Sequence, residues 1–228
     1  MVMRKKPPTQ HDVNEHRLHQ HSDREPPVHA PRSQAVSASD SARPTQTWSA
    51  EVAVLSTGLF VPGYGGVTSF LEGRHSEEHI EPKAAFIPAQ HRRRSSRFTK
   101  ALAEAYTEAL TQAAEGWGDA VHPASVASVF GSALGEASTM IGLLEQMWTD
   151  EGALSPMRFV TSVHNTAAGL MSIAGQNRGF TTSIGADFDT PAMGLTEGIG
   201  LVLAKEQYVL VCCGDEAVPE HLVQHGEG

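Results

Sequence analysis

The fold of this chain is decided by residues 181–216, TTSIGADFDTPAMGLTEGIGLVLAKEQYVLVCCGDE. Residues 181–184 have the pattern of a short strand, residues 190–204 that of an apolar helix rich in Gly and Ala, and residues 208–213 that of a buried strand. Strands that alternate with helices are typical of an α/β sheet covered by helices on both faces.

The alternation continues towards the N-terminus. Its periodicity predicts a strand at 52–58, an amphipathic helix at 98–115, a strand at 126–130, a helix at 136–149 and a small-residue helix at 166–175. In the helix at 136–149, one face carries Met140, Leu143, Leu144 and Met147. We therefore predict a mixed α/β sheet over residues 49–218.

Both ends of the chain have a different composition. Residues 1–48 hold five His, many polar residues and few large apolar side chains, so we predict a disordered N-terminal tail, and residues 219–228 read as a polar C-terminal tail. The first 48 residues carry a net charge of +2 (seven Lys and Arg, five Asp and Glu), and the other 180 carry −11 (ten against 21). This acidity disfavours a nucleic-acid partner.

The cellular location and the cofactors are predicted from sequence motifs that are missing. No stretch reaches the roughly 20 apolar residues that span a bilayer, and no apolar segment follows Arg4-Lys5-Lys6, so we expect a cytoplasmic protein. The glycines at 63–66 are not followed by the Lys-Ser/Thr of a phosphate loop. Cys212 and Cys213 are neighbours and should face opposite sides of a strand, which makes a disulfide between them unfavourable. We expect no metal and no cofactor.

Five weak motifs occur in order: Phe130-Gly-Ser132, Pro156–Phe159 with Ser162–Gly169, Gly179–Ile184, the helix from Ala192 to Leu203, and Cys213-Gly-Asp-Glu216. In this order and spacing the chain resembles the N-terminal half of the thiolase-fold β-ketoacyl synthases, the condensing enzymes of fatty-acid and polyketide synthesis. Arg93-Arg-x-Ser96 resembles a segment of a subgroup associated with aryl-polyene pathways. The resemblance covers about residues 50–218 and implies a thiolase-like half-domain.

The sequence departs from that family at two points. The family's nucleophilic Cys stands at a strand-to-helix elbow, where helix amides stabilise the thiolate; the matching elbow here is Ala186–Thr190, with Phe188 at the Cys position. The family's two catalytic His belong to a C-terminal half, and only His221 and His225 follow Glu216.

The resemblance therefore implies a non-catalytic protein like a chain length factor, which pairs with a ketosynthase subunit or with itself. Exposed apolar surface on such a half-domain would mark the interface. Two alternatives stay open: a divergent ketosynthase or acyltransferase whose other half comes from a partner chain, and a relic fragment.

Several residues admit more than one role. Asp187 and Asp189 could hold a divalent metal or accept a phosphoryl group, or they could cap the helix that follows. Phe188 and the neighbouring elbow residue Thr190 could line an acyl pocket, as could Met140, Met147, Met157, Met171 and Met193, although core packing suits the methionines better.

Two polar groups suggest contacts with a partner. Arg92, Arg93, Arg94 and Arg97 could bind the phosphate of a phosphopantetheine arm or an acidic carrier protein, or they could be surface charges and internal ion pairs. His164 and Asn165 open a helix, where Asn165 could cap it and fix a loop at a dimer interface.

Overall fold

A computed structural model describes residues 1–6, 50–118, 121–149, 154–205 and 207–217. The chain divides into two units, one formed by residues 1–5 and 52–228 and the other by residues 6–51. The second unit is described only at its ends, where the Lys6 amide donates to the Glu51 carbonyl at 3.1 Å. The predicted tail at 219–228 and residues 7–48 of the predicted N-terminal tail lie outside the described residues.

The first unit contains a five-stranded mixed sheet. Its order is β2-β1-β5-β3-β4, and its strands are β1 (Val2–Lys5), β2 (Val52–Ser56), β3 (Ala127–Gly131), β4 (Thr181–Ile184) and β5 (Val209–Cys213). Strand β3 pairs in parallel with both β4 and β5, whereas β1 runs antiparallel to β2 and β5. The two edges of the sheet are therefore β2 and β4.

Strand β1 corrects the prediction of a disordered tail over residues 1–48. Val2 and Met3 are fully buried, and Met3 pairs with Val54 on one side and Val209 on the other. The Arg4 guanidinium lies 4.0 Å from the ring centre of Trp117, a cation–π contact. The tail pattern failed here because four residues are too short for a periodicity to stand out beside a long polar stretch.

Seven α-helices connect and cover the strands in the described part of the chain. They are α1 (Val67–Leu71), α2 (Ala89–Arg92), α3 (Arg97–Trp117), α4 (Ala137–Thr149), α5 (Pro156–Val160), α6 (Thr166–Ala174) and α7 (Thr190–Lys205). The long helix α3 begins where the Ser96 hydroxyl accepts a hydrogen bond from the Thr99 amide, a regular N-cap. All the helices and strands predicted from residue 52 onwards are present, with ends shifted by a few residues.

The core has two layers, one on each face of the sheet. Helices α3 and α6 cover one face, where Leu102, Tyr106 and Phe130 are buried together and the Tyr106 and Phe130 rings stack at 5.8 Å. Helix α7 covers the other face, where Val129, Val202 and Val209 pack with Met3. This arrangement is the mixed α/β sheet with helices on both faces that the sequence predicts.

Helix α4 leaves most of its apolar face uncovered. Only Leu143 of the predicted apolar face is buried, while Met140, Leu144 and Met147 are exposed, and the neighbouring Trp148 is 89% exposed. Met140, Leu144 and Met147 share one face because they are spaced by three, four or seven residues, and Trp148 lies one turn after Leu144. An apolar face of this kind on a folded domain indicates a contact surface.

Among the described helices, none combines the length and the apolar character needed to cross a membrane.

Candidate functional site

The carboxyl ends of the three parallel strands lie on the same side of the sheet, and the candidate site lies there. Strand β3 leads into Ser132, β4 into the elbow 185–190, and β5 into Gly214–Glu216. In α/β sheets the crevice at the carboxyl ends of the strands is where ligands and catalytic groups collect. The structure thus brings together three motifs that are far apart in sequence.

The elbow is a tight turn between β4 and α7. Asp187–Asp189 form one 3-10 turn, and Asp187 has a φ of 51°, which is unusual for a residue other than glycine. The buried Thr190 side chain holds the turn: its hydroxyl donates to the Asp187 carbonyl at 2.7 Å and accepts from the Ala186 amide at 2.9 Å. Phe188 is 95% exposed.

The two elbow aspartates do not act as predicted caps. The turn and its N-cap residue Ala186 have no side-chain capping bond, and Thr190 makes the local hydrogen bonds instead. Within the described residues, no group of three or more His, Cys, Asp or Glu side chains is arranged to hold a metal ion. Asp187 and Asp189 are exposed carboxylates within the elbow.

A hydrogen-bonded network joins the ends of β3 and β5. The Asp215 carboxylate accepts from the Ser132 hydroxyl and from the amides of Ala133 and Leu134, at 3.1 and 3.0 Å. The Ser132 oxygen also accepts from the Gly135 amide at 2.6 Å. Ser132 and Asp215 therefore close the turn after β3, which gives these residues of the Gly-Ser and Gly-Asp-Glu motifs a structural role.

His164 joins this network through the backbone. Its Nε2 donates to the Ser132 carbonyl at 2.7 Å, since a carbonyl can only accept, and the ring lies beside Gly135 and Gly185. The imidazole therefore does not accept the Ser132 hydroxyl proton, and the three residues do not form a catalytic triad. Asn165 is the N-cap residue of α6 but makes no side-chain capping bond, which corrects its predicted role as a cap.

Glu136 is a functional candidate that sequence reasoning missed. Its side chain is buried at the start of α4, where it accepts a hydrogen bond from the Thr99 hydroxyl on α3. Burial raises the pKa of Glu136 above its ordinary value, and the nearby Glu216 raises it further. Glu216 in turn accepts from the Ser138 amide at 2.9 Å. The available signal was a carboxylate at the first position of the predicted helix 136–149.

The two cysteines face opposite sides of β5, as predicted. Cys212 is buried under α3, and burial raises the pKa of its thiol to about 12. Cys213 lies under the first turns of α7, where its sulfur fills the space above Gly131 and Gly194, and burial raises its pKa as well. Cys213 is thus closer to the elbow than its position in the sequence indicates, but its thiol is protonated at neutral pH.

The four arginines do not act as one cluster. Arg97 forms an ion pair with Glu81 at 3.2 Å and also donates to the Ile80 carbonyl, the internal pairing that the sequence allowed as an alternative. Arg92 is half-buried and donates to a backbone carbonyl. Arg93 and Arg94 are exposed. The predicted phosphate or carrier-protein patch is therefore reduced to two side chains.

A groove of about 310 Å³ lies between the start of α3 and the end of β5. Its walls are mainly apolar and include Phe60, Phe98 and Leu102. The groove is also lined by Arg97, Cys213 and Asp215. The elbow residues 187–190 are not among its lining residues.

Five methionines were predicted to pack in the core or to line a pocket. Met171 is buried in the core, whereas Met140, Met147, Met157 and Met193 are exposed, so the prediction of core packing is wrong for these four.

Comparisons with known proteins agree with this geometry. The family described as "Beta-ketoacyl synthase, N-terminal domain" matches residues 71–227, and no curated protein matches the chain. The structure of a ketosynthase (ApeO) in complex with its chain length factor (ApeC) from Xenorhabdus doucetiae is similar, with 20% identity and a TM-score of 0.56 over 74% of this chain and 68% of that one.

A second similar structure is a β-ketoacyl synthase from Burkholderia phymatum STM815, with 13% identity and a TM-score of 0.60 over 75% of this chain. The chain spans about half the length of that synthase, at 48%. Identities this low show likeness of fold alone. The family match covers more than half of the chain and includes the residues that follow the carboxyl ends of β3, β4 and β5. The chain therefore belongs to the family of β-ketoacyl synthase N-terminal domains.

Proposed function

We propose that this chain is a non-catalytic subunit, similar to a chain length factor, that pairs with an active ketosynthase. The observation that carries the proposal is the side chain at the elbow. By resemblance the nucleophile belongs at position 188, and Phe188 has no atom that can form a thioester. The proposal places the pair in the cytoplasm, in bacterial acyl-chain or aryl-polyene synthesis.

The nearest thiol supports the same reading. An attacking cysteine must be a thiolate that is open to its substrate, and helix amides or cations normally lower its pKa. Cys213 has the opposite environment, because it is packed against Gly131 and Gly194 and its pKa is raised by burial. Cys213 is only partly exposed, although it is one of the residues that line the groove between α3 and β5.

Exposed apolar side chains near β4 supply a surface for the partner. Strand β4 is a sheet edge, and such edges carry backbone groups that can pair with another chain. Phe180 precedes this strand and Phe188 follows it, and both are exposed. Pairing at this edge would cover both rings, and the exposed face of α4 offers further apolar area. The partner can be a ketosynthase or a second copy, and we propose the ketosynthase.

The test is intact mass spectrometry of the chain purified from its native cells with whatever stays bound. We expect a complex with a Cys-bearing ketosynthase, with acyl groups on that partner and none on this chain. An acyl group on this chain would overturn the proposal in favour of the divergent enzyme. A monomer that binds no ketosynthase would also overturn it.

A matched pair of variants tests the surface. Phe188→Glu should weaken the complex, because it would bury a charge at the contact. Leu71→Glu is the control, since Leu71 is also exposed and lies in α1, which follows the opposite edge strand β2. Equal complex formation by both variants would contradict pairing at the β4 edge.

We also propose an acyl carrier protein as a third component of the complex of this chain with the ketosynthase.

A further inference from the structure

The groove between the start of α3 and the end of β5 exposes apolar side chains. Of the residues that line it, Phe98 and Leu102 are buried in the core, and Leu59, Phe60 and Cys213 are half-buried. Its volume of about 310 Å³ is large enough for several side chains. Water in a groove with such walls is unfavourable, and we therefore expect apolar side chains to fill it.

The chain beyond β5 emerges at this groove. The Asp215 carboxylate accepts from two amides of the turn after β3, and the Glu216 carboxylate accepts from the Ser138 amide at 2.9 Å. These bonds fix the chain up to the next residue, Ala217, which lines the groove and is exposed. The segment that follows, residues 218–223, therefore starts at the groove itself.

The sequence of this segment is suited to an apolar groove. Residues 218–223 read VPEHLV, whereas residues 224–228 read QHGEG and have no large apolar side chain. Residues four positions apart lie on the same side of both a helix and a strand. Val218 and Leu222 can therefore face one surface in either conformation.

The segment is also long enough to cover the groove. The residues of α3 that line it run from Arg97 to Ala105, which is about 12 Å along the helix axis. Six residues in an extended conformation reach roughly 20 Å. Because the segment starts at the groove, few residues must be ordered to close it, and its local concentration exceeds that of a separate molecule. These two facts favour the chain's own segment over a partner.

We propose that residues 218–223 of the same chain fill this groove, where Leu222 packs against Phe98 and Leu102. In this position the segment covers the Cys213 sulfur and keeps other apolar molecules out of the groove. The inference does not rest on the proposed pairing with a ketosynthase, because no residue of β4 lines the groove.

Methyl NMR on the full chain tests the contact directly. With the Leu and Val methyl groups labelled, nuclear Overhauser effects should connect the Leu222 methyl protons with the ring protons of Phe98. A sample that mixes labelled and unlabelled chains separates contacts within one chain from contacts between two copies. The inference is overturned if Leu222 shows no cross-peak to Phe98 or Phe60. Cross-peaks that arise only between chains would also overturn it, by assigning the groove to a second copy.

A matched pair of variants tests the cover by its chemistry. Leu222→Asp would place a charge among apolar side chains and should release the segment. Cys213 should then react with iodoacetamide at pH 8 about fivefold faster or more than in the wild-type chain. Gln224→Asp is the control, because it introduces the same side chain two positions later, and it should leave the rate within about twofold. Cys212 should stay unmodified in all three chains, which shows that the core is intact.

Two results of the labelling experiment would contradict the inference. One is an equal rate for Cys213 in the wild-type chain and in both variants, and the other is an equal acceleration by Leu222→Asp and Gln224→Asp. Binding of a ketosynthase is measured separately. If that complex forms and the cross-peaks to Phe98 are missing, only this inference fails; if the cross-peaks are present and no ketosynthase binds, only the proposed function fails.

Discussion

Replacing Met3 with alanine tests the most unexpected element of the fold, strand β1. Met3 is 1% exposed and packs in the layer under α7, where its methyl group lies above Gly198. Truncation of a buried methionine to alanine removes apolar contacts and leaves a cavity, at a cost of about 2–5 kcal/mol. Because β1 is short and adjacent to a polar segment, we expect the lower half of that range, about 2–3 kcal/mol.

The assay is urea unfolding followed by circular dichroism, with a thermal scan as a second measurement. For a domain of this size, a loss of about 2–3 kcal/mol corresponds to a fall in Tm of about 5–10 °C. Met193→Ala is the control, because Met193 is exposed on α7 and its removal should change the free energy of unfolding by less than about 0.5 kcal/mol. Val2→Ala reports on the opposite layer, under α3, and should cost about 1–2 kcal/mol.

A clear result would refute the reasoning. If Met3→Ala and Met193→Ala change the stability equally little, residues 2–5 do not form part of the sheet. The expectation from sequence, a disordered tail that starts at residue 1, would then stand.

Three further predictions concern the site. Glu136→Gln should raise the free energy of unfolding at pH 7, because a buried carboxyl with a raised pKa destabilises the native state at that pH, whereas the amide does not titrate and can still accept from the Thr99 hydroxyl. Since the native pKa of Glu136 is raised, the wild-type chain loses stability as pH rises through it, and the advantage of the variant should vanish below about pH 4 in urea titrations at several pH values. In the folded chain at pH 8, iodoacetamide should leave Cys212 unmodified and react slowly with Cys213, as measured by peptide mass spectrometry. The reason is that the Cys212 thiol, with a pKa of about 12, is a thiolate in only about one molecule in 10,000, and burial raises the pKa of Cys213 as well. Rapid labelling of both cysteines would contradict the packing of β5. Gly131→Ala should destabilise the chain by about 1–3 kcal/mol, because a Cβ there would lie 2.5 Å from the Cys213 sulfur, and an unchanged melting curve would disprove this close contact.

The sequence contained most of the fold from residue 52 onwards, for a physical reason. Helix α3 repeats its apolar residues at helical spacing, and β5 is a nearly continuous apolar run, so each element shows its buried side through its own local pattern. The order of motifs pointed to the family for the same reason, because each motif is a short stretch of consecutive residues. The elbow was also predicted as a turn between a strand and a helix.

Such local patterns do not predict contacts between segments that are far apart in the sequence. The Asp215 carboxylate meets Ser132 across 83 positions, and Glu136 meets Thr99 across 37, so their roles appear only when β3, β5 and α3 are packed together. Local reasoning assigned helix caps to Asn165 and Asp187, whereas the Thr190 hydroxyl makes the bonds at the elbow.

Sequence by itself therefore determined the main helices and strands from residue 52 onwards, and that no thiol stands in the elbow. Tertiary structure decided that the first strand comes from residues 2–5, that α4 and α5 leave apolar side chains in water, and that Arg94 contacts Met157. The reason is that hydrophobic periodicity records which side of an element is apolar, whereas only the packing of all the elements decides which apolar sides are covered.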